Sequence, residues 1–407
     1  MYFTKEEVMQ FVEEEDVKFI RLAFCDVFGK QKNISIMPGE LGRAFSYGIA
    51  FDAWSIAGFD SGVRSDLLLH PDPDTLAILP WRPEHGRVVR MFCDITWPDG
   101  TPFSGDTRHF LTTVLREAAD AGYRFRIGAE SEFYLFRLDE NGNETKIPYD
   151  RAGYMDIAPE DKGENVRREI CLTLEQMGIS PESSHHEEGP GQNEIDFRYS
   201  DPLSAADNTV TFCTVVRTVA ARSGIWADFS PKPLRDLPGN GMHLNFSVQN
   251  ADGSPSAPEV TEHAIAGVLA HIEEMTAFFN PVDASYERLG SCKAPRYISW
   301  SHENRSQLIR IPAADGEFRR AELRSPDPSA NPYIAFALLI SACLDGIRNS
   351  LPLPPPADLN LYSIDSETRG QFRVLPTSLR EASRIAQNST FIRNHLPDVL
   401  VSAYTNR

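Results

Sequence analysis

Four segments of this chain alternate apolar and polar side chains with a period of two, and their polar sides are crowded with charge. In RIGAESEFYLF, Glu130 and Glu132 fall on one face and Ala129, Phe133 and Leu135 on the other. NEIDF places Glu194 and Asp196 opposite Ile195 and Phe197. MHLNFSV sets His243, Asn245 and Ser247 against Leu244, Phe246 and Val248, and AELRS pairs Glu322 with Arg324. The pattern predicts strands whose apolar face packs on helices while the other face collects acids, a histidine and an arginine. HHEEGPGQNEIDF, residues 185–197, concentrates four carboxylates and two histidines around a Gly-Pro turn. Two carboxylates about 7 Å apart on one face repel by roughly 2 kcal/mol at an effective dielectric near 20.

Repulsion of that size is tolerated where cations sit among the acids. Carboxylate oxygens with one imidazole suit Mg²⁺ or Mn²⁺ better than zinc. A second imbalance lies further on: between Arg288 and Arg324 there are seven arginines and one lysine in a chain of net charge −18. Arg305 and Arg310 fall in NRSQLIRIP, and Arg319, Arg320 and Arg324 in FRRAELR. Planar guanidinium groups clamp carboxylate and phosphate bidentately. Divalent cations beside arginines describe a phosphoryl-transfer site, where positioning and charge neutralisation perform the catalysis. GxxxxGK and GxGxxG are absent, so neither a P-loop nor a Rossmann nucleotide fold is indicated.

The remaining bounds are broad. A chain of 407 residues has room for two or three domains. Its acidity argues against a nucleic-acid or anionic-membrane surface. Six scattered cysteines lack metal-site spacing and read as reduced thiols, the acidic start MYFTKEEVMQFVEEED does not resemble a targeting peptide, and no apolar run reaches about 18 residues. The expected location is the cytoplasm.

Along the chain, TKEE at 4–7 is a capping-box pattern opening a short helix, and VKFIRLAFCD with KNISIM reads as a hairpin about Phe28-Gly29-Lys30. The stretch from there to about residue 100 reads as loop-rich, and a boundary is placed near Pro102. Beyond it helices are expected at 107–121, 164–177, 203–222, 259–279 and 330–349. Strands are expected at 124–137, 182–188, 191–199, 225–229, 241–249, 296–300, 307–311 and 317–324, ahead of a helical tail.

Taken in order, GAESEFYLF, HHEEGPGQNEIDF, GNGMHLNFSV, NRSQLIRIP and RRAELRSPDPSANPYIAFALLI resemble glutamine synthetase, and VKFIRLAFCDVFGKQKNISI with FDAWSI resembles that family's small N-terminal domain. The resemblance implies an α+β fold: a β-grasp domain over residues 1–101, and a catalytic domain over 102–407 with a curved antiparallel sheet backed by helices. It implies a ligase that uses ATP and two or three divalent cations to phosphorylate the γ-carboxylate of glutamate before ammonia attacks. By motif position, Glu132, Glu187 and Glu194 correspond to ligands of one cation, and Glu130, His243 and Glu322 to ligands of the cation that carries ATP phosphates. Arg288 and Arg324 correspond to the substrate-carboxylate arginines, with Gly239 beside glutamate. Arg305 and Arg310 correspond to the arginines that neutralise the transferring phosphate. Glu182, Asn245, Ser247 and Arg320 fall where the nucleotide is contacted. Asp52 and Ser55 correspond to ammonium-site residues donated by a neighbouring subunit, completed by Tyr154 and Glu187. Rings of ten or twelve identical subunits are implied.

The departure from the family pattern is SCKAP, 291–295. Lys293 stands where a flap glutamate is usual, and Pro238 replaces an asparagine ahead of the histidine motif. A lysine neither attracts ammonium nor accepts its proton. Three readings stay open: an ammonia ligase, a γ-glutamyl ligase for an organic amine, and a ring-forming member without catalysis.

Overall fold

A computed structural model describes residues 3–59, 64–314, 316 and 319–406. Two sheets organise the chain. In the first, Val17–Cys25 pairs antiparallel with Gln31–Ile36 and parallel with Arg87–Thr96, which in turn pairs with Asp66–Pro71 and, through it, Ile49–Asp52. The expected hairpin is therefore present. At its turn Asp26 Oδ1 accepts from the backbone N–H groups of Phe28 and Lys30 at 3.0 and 2.9 Å. Gly29 has φ +79°, and a Cβ there would meet Asn331 Cα at 2.8 Å, so glycine is required on both counts. The capping box at Thr4–Glu7 also forms, opening the helix Lys5–Glu14.

The loop-rich expectation for the stretch to residue 100 is corrected. It contains the helix Leu41–Tyr47 and the ten-residue strand Arg87–Thr96, RVVRMFCDIT. That strand has neighbours on both edges and is buried on both faces over most of its length. A strand of this kind shows a continuous apolar run instead of alternation, which is why period-two reading passes over it.

The second sheet has nine strands and is antiparallel except where Trp300–His302 meets Ile309–Ile311. Its spine is the sixteen-residue strand Tyr123–Leu138, flanked by Met242–Asn250 on one side and Gln192–Phe197 on the other. Pro181–His186 lies beyond the latter, and Ala321–Leu323 and Ile309–Ile311 lie beyond the former. The three late strands are shorter than expected. Ile309–Ile311 begins two residues after the expected 307, and Trp300–His302 meets the expected 296–300 only at residue 300. Of the expected 317–324, residues 317 and 318 lie outside the described residues, while Ala321–Leu323 is strand.

Helices Thr107–Asp120, Pro202–Arg222, Pro258–Phe279 and Pro332–Arg348 cover the apolar side. Three of them begin with proline, which fits the first helical turn, and Asp201 and Asn331 cap two of those with side-chain acceptors. Leu244, Phe246, Ala129, Phe133, Leu135 and Ile195 are buried beneath them.

One buried guanidinium joins the two sheets. Arg108 contacts Asp72 at 2.7 Å, Asp94 at 3.1 Å and Asp207 at 3.1 Å, and Tyr333 donates to Asp207 at 2.6 Å. Asp72 and Asp94 belong to the first sheet's side, whereas Asp207 lies on the helix Pro202–Arg222. Replacing Arg108 with methionine leaves Asp207 buried without its cation. The expected loss is about 3–5 kcal/mol in urea unfolding at fixed protein concentration. A loss well under about 1 kcal/mol would show that the cluster does not hold the sheets together.

Candidate functional site

The register of the second sheet brings the polar residues together. His243 lies opposite Glu130, Glu194 opposite Glu132, Arg310 opposite Glu322, and Asn245 also opposite Glu322. Five strands thus point their acids, imidazole and arginines into one basin of ≈ 450 Å³. Cross-strand neighbours sit within side-chain reach, so the clustering follows directly from pairing.

On one side, Glu130, His243 and Glu322 offer ligand atoms within 4.8 Å of one another. His243 Nδ1 stands 3.6 Å from Glu130 and 3.5 Å from Glu322, too far for hydrogen bonds. Burial, with Arg324 next, holds the imidazole well below its usual pKa, so it is neutral with a lone pair available. Asn245 orients the group, donating to Glu130 at 2.6 Å while accepting from Arg320 Nε at 2.8 Å.

Across the basin, Glu187 and Glu194 close on His185, again with ligand atoms within 4.8 Å. Glu132 is adjacent, but its Oε2 accepts from the Gly241 N–H at 2.7 Å and from Gln192 Nε2 at 3.2 Å. Burial and then Glu187 push Glu132 up to about 8. Burial raises Glu187, and burial with Asp196 and Glu132 raises Glu194 well above the carboxylate range. Asp196 is raised to about 6 by burial and Glu130. The acids repel one another as the sequence pattern requires. Oxygen donors with one imidazole fit a hard divalent cation on either side.

Arginines line the remaining wall. Arg310 pairs with Glu322, and Arg324 Nε lies 3.3 Å from the same carboxylate. Arg288 is buried and spends Nη1 on the Ser325 carbonyl at 2.8 Å and Nη2 on that of Arg324 at 3.3 Å. Gly239 lies against it, where a Cβ would meet Pro231 O at 2.3 Å. Arg305, Arg320 and Tyr154 also line the basin. The loop 291–295 forms its rim, where Lys293 pairs with Glu188. Tyr362 Oη bonds the carbonyls of Lys293 and Arg305 at 2.9 and 2.7 Å, fastening that loop to its neighbour.

Other expected residues lie elsewhere. Ser247 and Asn245 line a shallow hollow with Arg126, Tyr199, Arg319 and Arg320. Glu182 is exposed, 3.7 Å from Arg198, and does not line the basin. Asp52 accepts from Ser55 Oγ at 2.8 Å and from Trp54 N at 3.0 Å, on a part of this chain away from its own basin. Conversely, His185, Gln192, Asp196 and Glu188 reach the basin without an expected role. The first three were findable: 185 shares a face with 187 and 183, and 192 and 196 share one with 194.

The raised carboxylates set a direction with pH. Folded, Glu132 keeps its proton up to about pH 8; unfolded, a glutamate keeps it only to about pH 4.3. Between those values the folded state binds more protons, so this group's contribution to stability falls as pH rises. Melting temperature in the presence of chelator is expected to decline over that window, and Glu132→Gln to flatten the decline. An identical slope in the variant would remove Glu132 as its source.

Comparison with known proteins agrees with the geometry. Residues 104–407 match the family profile described as glutamine synthetase, catalytic domain, and residues 16–98 match glutamine synthetase, beta-Grasp domain. The chain is 44% identical over 413 residues to a glutamine synthetase of Clostridium saccharobutylicum, covering 99% of this chain and 93% of the relative. It is 46% identical over 412 residues to one of Methanosarcina mazei, covering 98% and 92%. Among solved structures, a GmaS/ADP complex superposes with a TM-score of 0.88 at 28% identity, over 98% of this chain and 94% of that one. By these similarities the chain belongs to the glutamine synthetase family.

Proposed function

We propose that the chain is an ATP-dependent ligase that phosphorylates the γ-carboxylate of glutamate and condenses the product with ammonia to give glutamine. The observation that carries this reading is one basin in which two acid-imidazole groups face each other beneath a wall of arginines. Glu130, His243 and Glu322 would hold the cation of the nucleotide phosphates, and Glu132, Glu187 and Glu194 the second cation, with His185 beside it. Bound there, Mg²⁺ or Mn²⁺ would neutralise phosphate oxygens and relieve the repulsion among the acids.

The chain's own groups account for the rest. Arg310 and Arg305 would spread over the transferring phosphoryl group, and Arg288 and Arg324 would take the substrate carboxylates, with Gly239 allowing close approach. The side chains of Asn245, Ser247 and Arg320, which line a small surface hollow, would contact the nucleotide, and a structural relative is a complex with ADP. The glutamate γ-oxygen attacks the terminal phosphorus and ADP leaves. Ammonia nitrogen then attacks the acyl carbon, phosphate departs, and the surplus proton passes to a basin carboxylate. Asp52 and Ser55, exposed and bonded to each other, would complete the ammonium pocket of a neighbouring subunit in a homo-oligomeric ring, with Tyr154 on the near side.

A second reading rests on the rim. Lys293, paired with Glu188 at the rim, stands where the family's flap carries an acid, so an incoming ammonium ion meets no free flap carboxylate, whereas an anionic group that displaced Glu188 would meet the lysine. That favours γ-glutamyl transfer to an organic amine, especially one with its own negative group, over a bare ammonium ion.

Three outcomes decide between these readings. Glu132→Ala is expected to lose at least about 100-fold in turnover with its circular dichroism unchanged; retained turnover would remove the cation assignment. With Mg-ATP and glutamate, phosphate release across an amine panel is expected to be highest with ammonia. Release only with organic amines would select the second reading, and silence with every amine would overturn both. Lys293→Glu is expected to raise the ammonia-dependent rate, and no gain would show that the rim does not set the choice of nucleophile.

A further inference from the structure

Away from the basin, a cavity of ≈ 300 Å³ lies between the first sheet and the helix Pro202–Arg222. Three arginines line it and no acid does. Arg90 comes from the buried strand Arg87–Thr96 and is 7% exposed. Its guanidinium stacks 4.0 Å over the Phe92 ring, and Nη2 donates to Thr211 Oγ1 at 3.2 Å. Among the described residues that threonine is its one side-chain hydrogen-bond partner, and no carboxylate lies within ion-pair distance.

Arg21 is likewise bonded to neutral oxygens, those of Ser35 and of Asn33, the latter at 3.4 Å. Arg82 forms no ion pair among the described residues and projects from the loop after Trp81. The carboxylate that acts most on Arg90 is Asp207, which is already committed to Arg108 and Tyr333. Burial lowers Arg90 to about 10.

Three arginines line one hollow with no acid in its wall. The carboxylate behind Arg90, that of Asp207, shares the single charge of Arg108 with Asp72 and Asp94, so among the described residues no carboxylate contacts these guanidinium groups directly. A buried cation without a counter-charge is costly, and an anion held bidentately supplies it. The volume, at the small end of ligand cavities, suits a compact molecule with two acidic groups. Thr214, which donates to Gln31 at 3.0 Å, closes the helix side with uncharged hydroxyl chemistry.

We propose that this cavity is a second anion-binding site, separate from the catalytic basin, for a compact dianion bearing carboxylate or phosphate groups. Such a ligand bridges Arg21 and Arg90 of the sheet to the helix that carries Thr211. Thr211 Oγ1 donates to the Asp207 carbonyl at 2.8 Å, so the bound anion stiffens the helix turn that also anchors Arg108. The proposal does not depend on which nucleophile the ligase uses.

Isothermal titration of the intact protein with succinate, and separately with inorganic phosphate, tests it. At least one is expected to bind once per chain and to raise the melting temperature. Arg21→Ala and Arg82→Ala are each expected to weaken that association by about tenfold or more, equivalent to ~1.4 kcal/mol. These two arginines are more exposed than Arg90, so the variants stay informative if Arg90→Met fails to fold. Stronger binding of succinate assigns a dicarboxylate, and stronger binding of phosphate a phosphorylated ligand; either supports the site. Absence of binding by both anions overturns it. So does binding that survives both alanine variants and is lost in Arg310→Ala, which would put the anion in the catalytic basin.

Discussion

Everything in the large sheet is arranged around mutual repulsion of buried carboxylates. Glu132 and Glu194 stand directly opposite each other on paired strands, with Glu187 and Asp196 close by. Left alone, such a set drives its own pKa values upward and resists burial. The strands nevertheless hold it, because their other face carries Phe133, Leu135, Ile195, Leu244 and Phe246 into the core beneath four long helices. Apolar burial on one side of the sheet offsets the electrostatic cost on the other. A one-residue slip would carry the acids into the core and the aromatic side chains into the basin, so register is strongly determined.

The same logic explains the division of labour between backbone and side chains around the basin. Gly241 uses its N–H to hold Glu132, and a Cβ there would meet Arg288 Nη2 and His243 Nε2, both at 2.7 Å. Gln192 spans Glu132, the Gly239 carbonyl and Asn240. Asn245 connects Glu130 to Arg320. These neutral groups fix the charged ones without adding charge, which keeps the cation-binding positions preorganised.

Beneath the basin, His186 lies between Asp150 at 2.9 Å and the Glu187 carbonyl at 2.6 Å, so both ring nitrogens face acceptors. Arg167 binds Asp161 and Asn193 in the same layer. Ion pairing there supports the hairpin that carries Glu187 and Glu194, much as Arg108 supports the meeting of the two sheets. The rim is built differently. Lys293 and Glu188 neutralise each other near solvent, and Tyr362 fastens the loop by its hydroxyl alone. Behind them Lys232 Nζ donates to Ser291 Oγ at 2.7 Å and Arg324 Nη1 to the Lys293 carbonyl at 3.4 Å, which ties the rim to the arginine wall.

Much of this was readable in the residues. The period-two pattern of GAESEFYLF, NEIDF and MHLNFSV identified the strands and the face that Glu130, Glu132, Glu194 and His243 share, because side-chain direction in a strand is a local property. The long helices were equally plain from their periodicity and caps. The strand Arg87–Thr96 was not, since a segment buried on both faces carries no alternation. Nor did local pattern reveal that Glu188 would meet Lys293, that Glu132 would turn to Gly241, or that Arg21, Arg82 and Arg90 would surround one cavity. Those residues are remote in the chain, and only strand order, register and helix docking decide which of them meet. Composition and spacing determined which chemistry the chain carries; tertiary pairing decided which charges face each other, because electrostatic interaction depends on distance in space and not along the sequence.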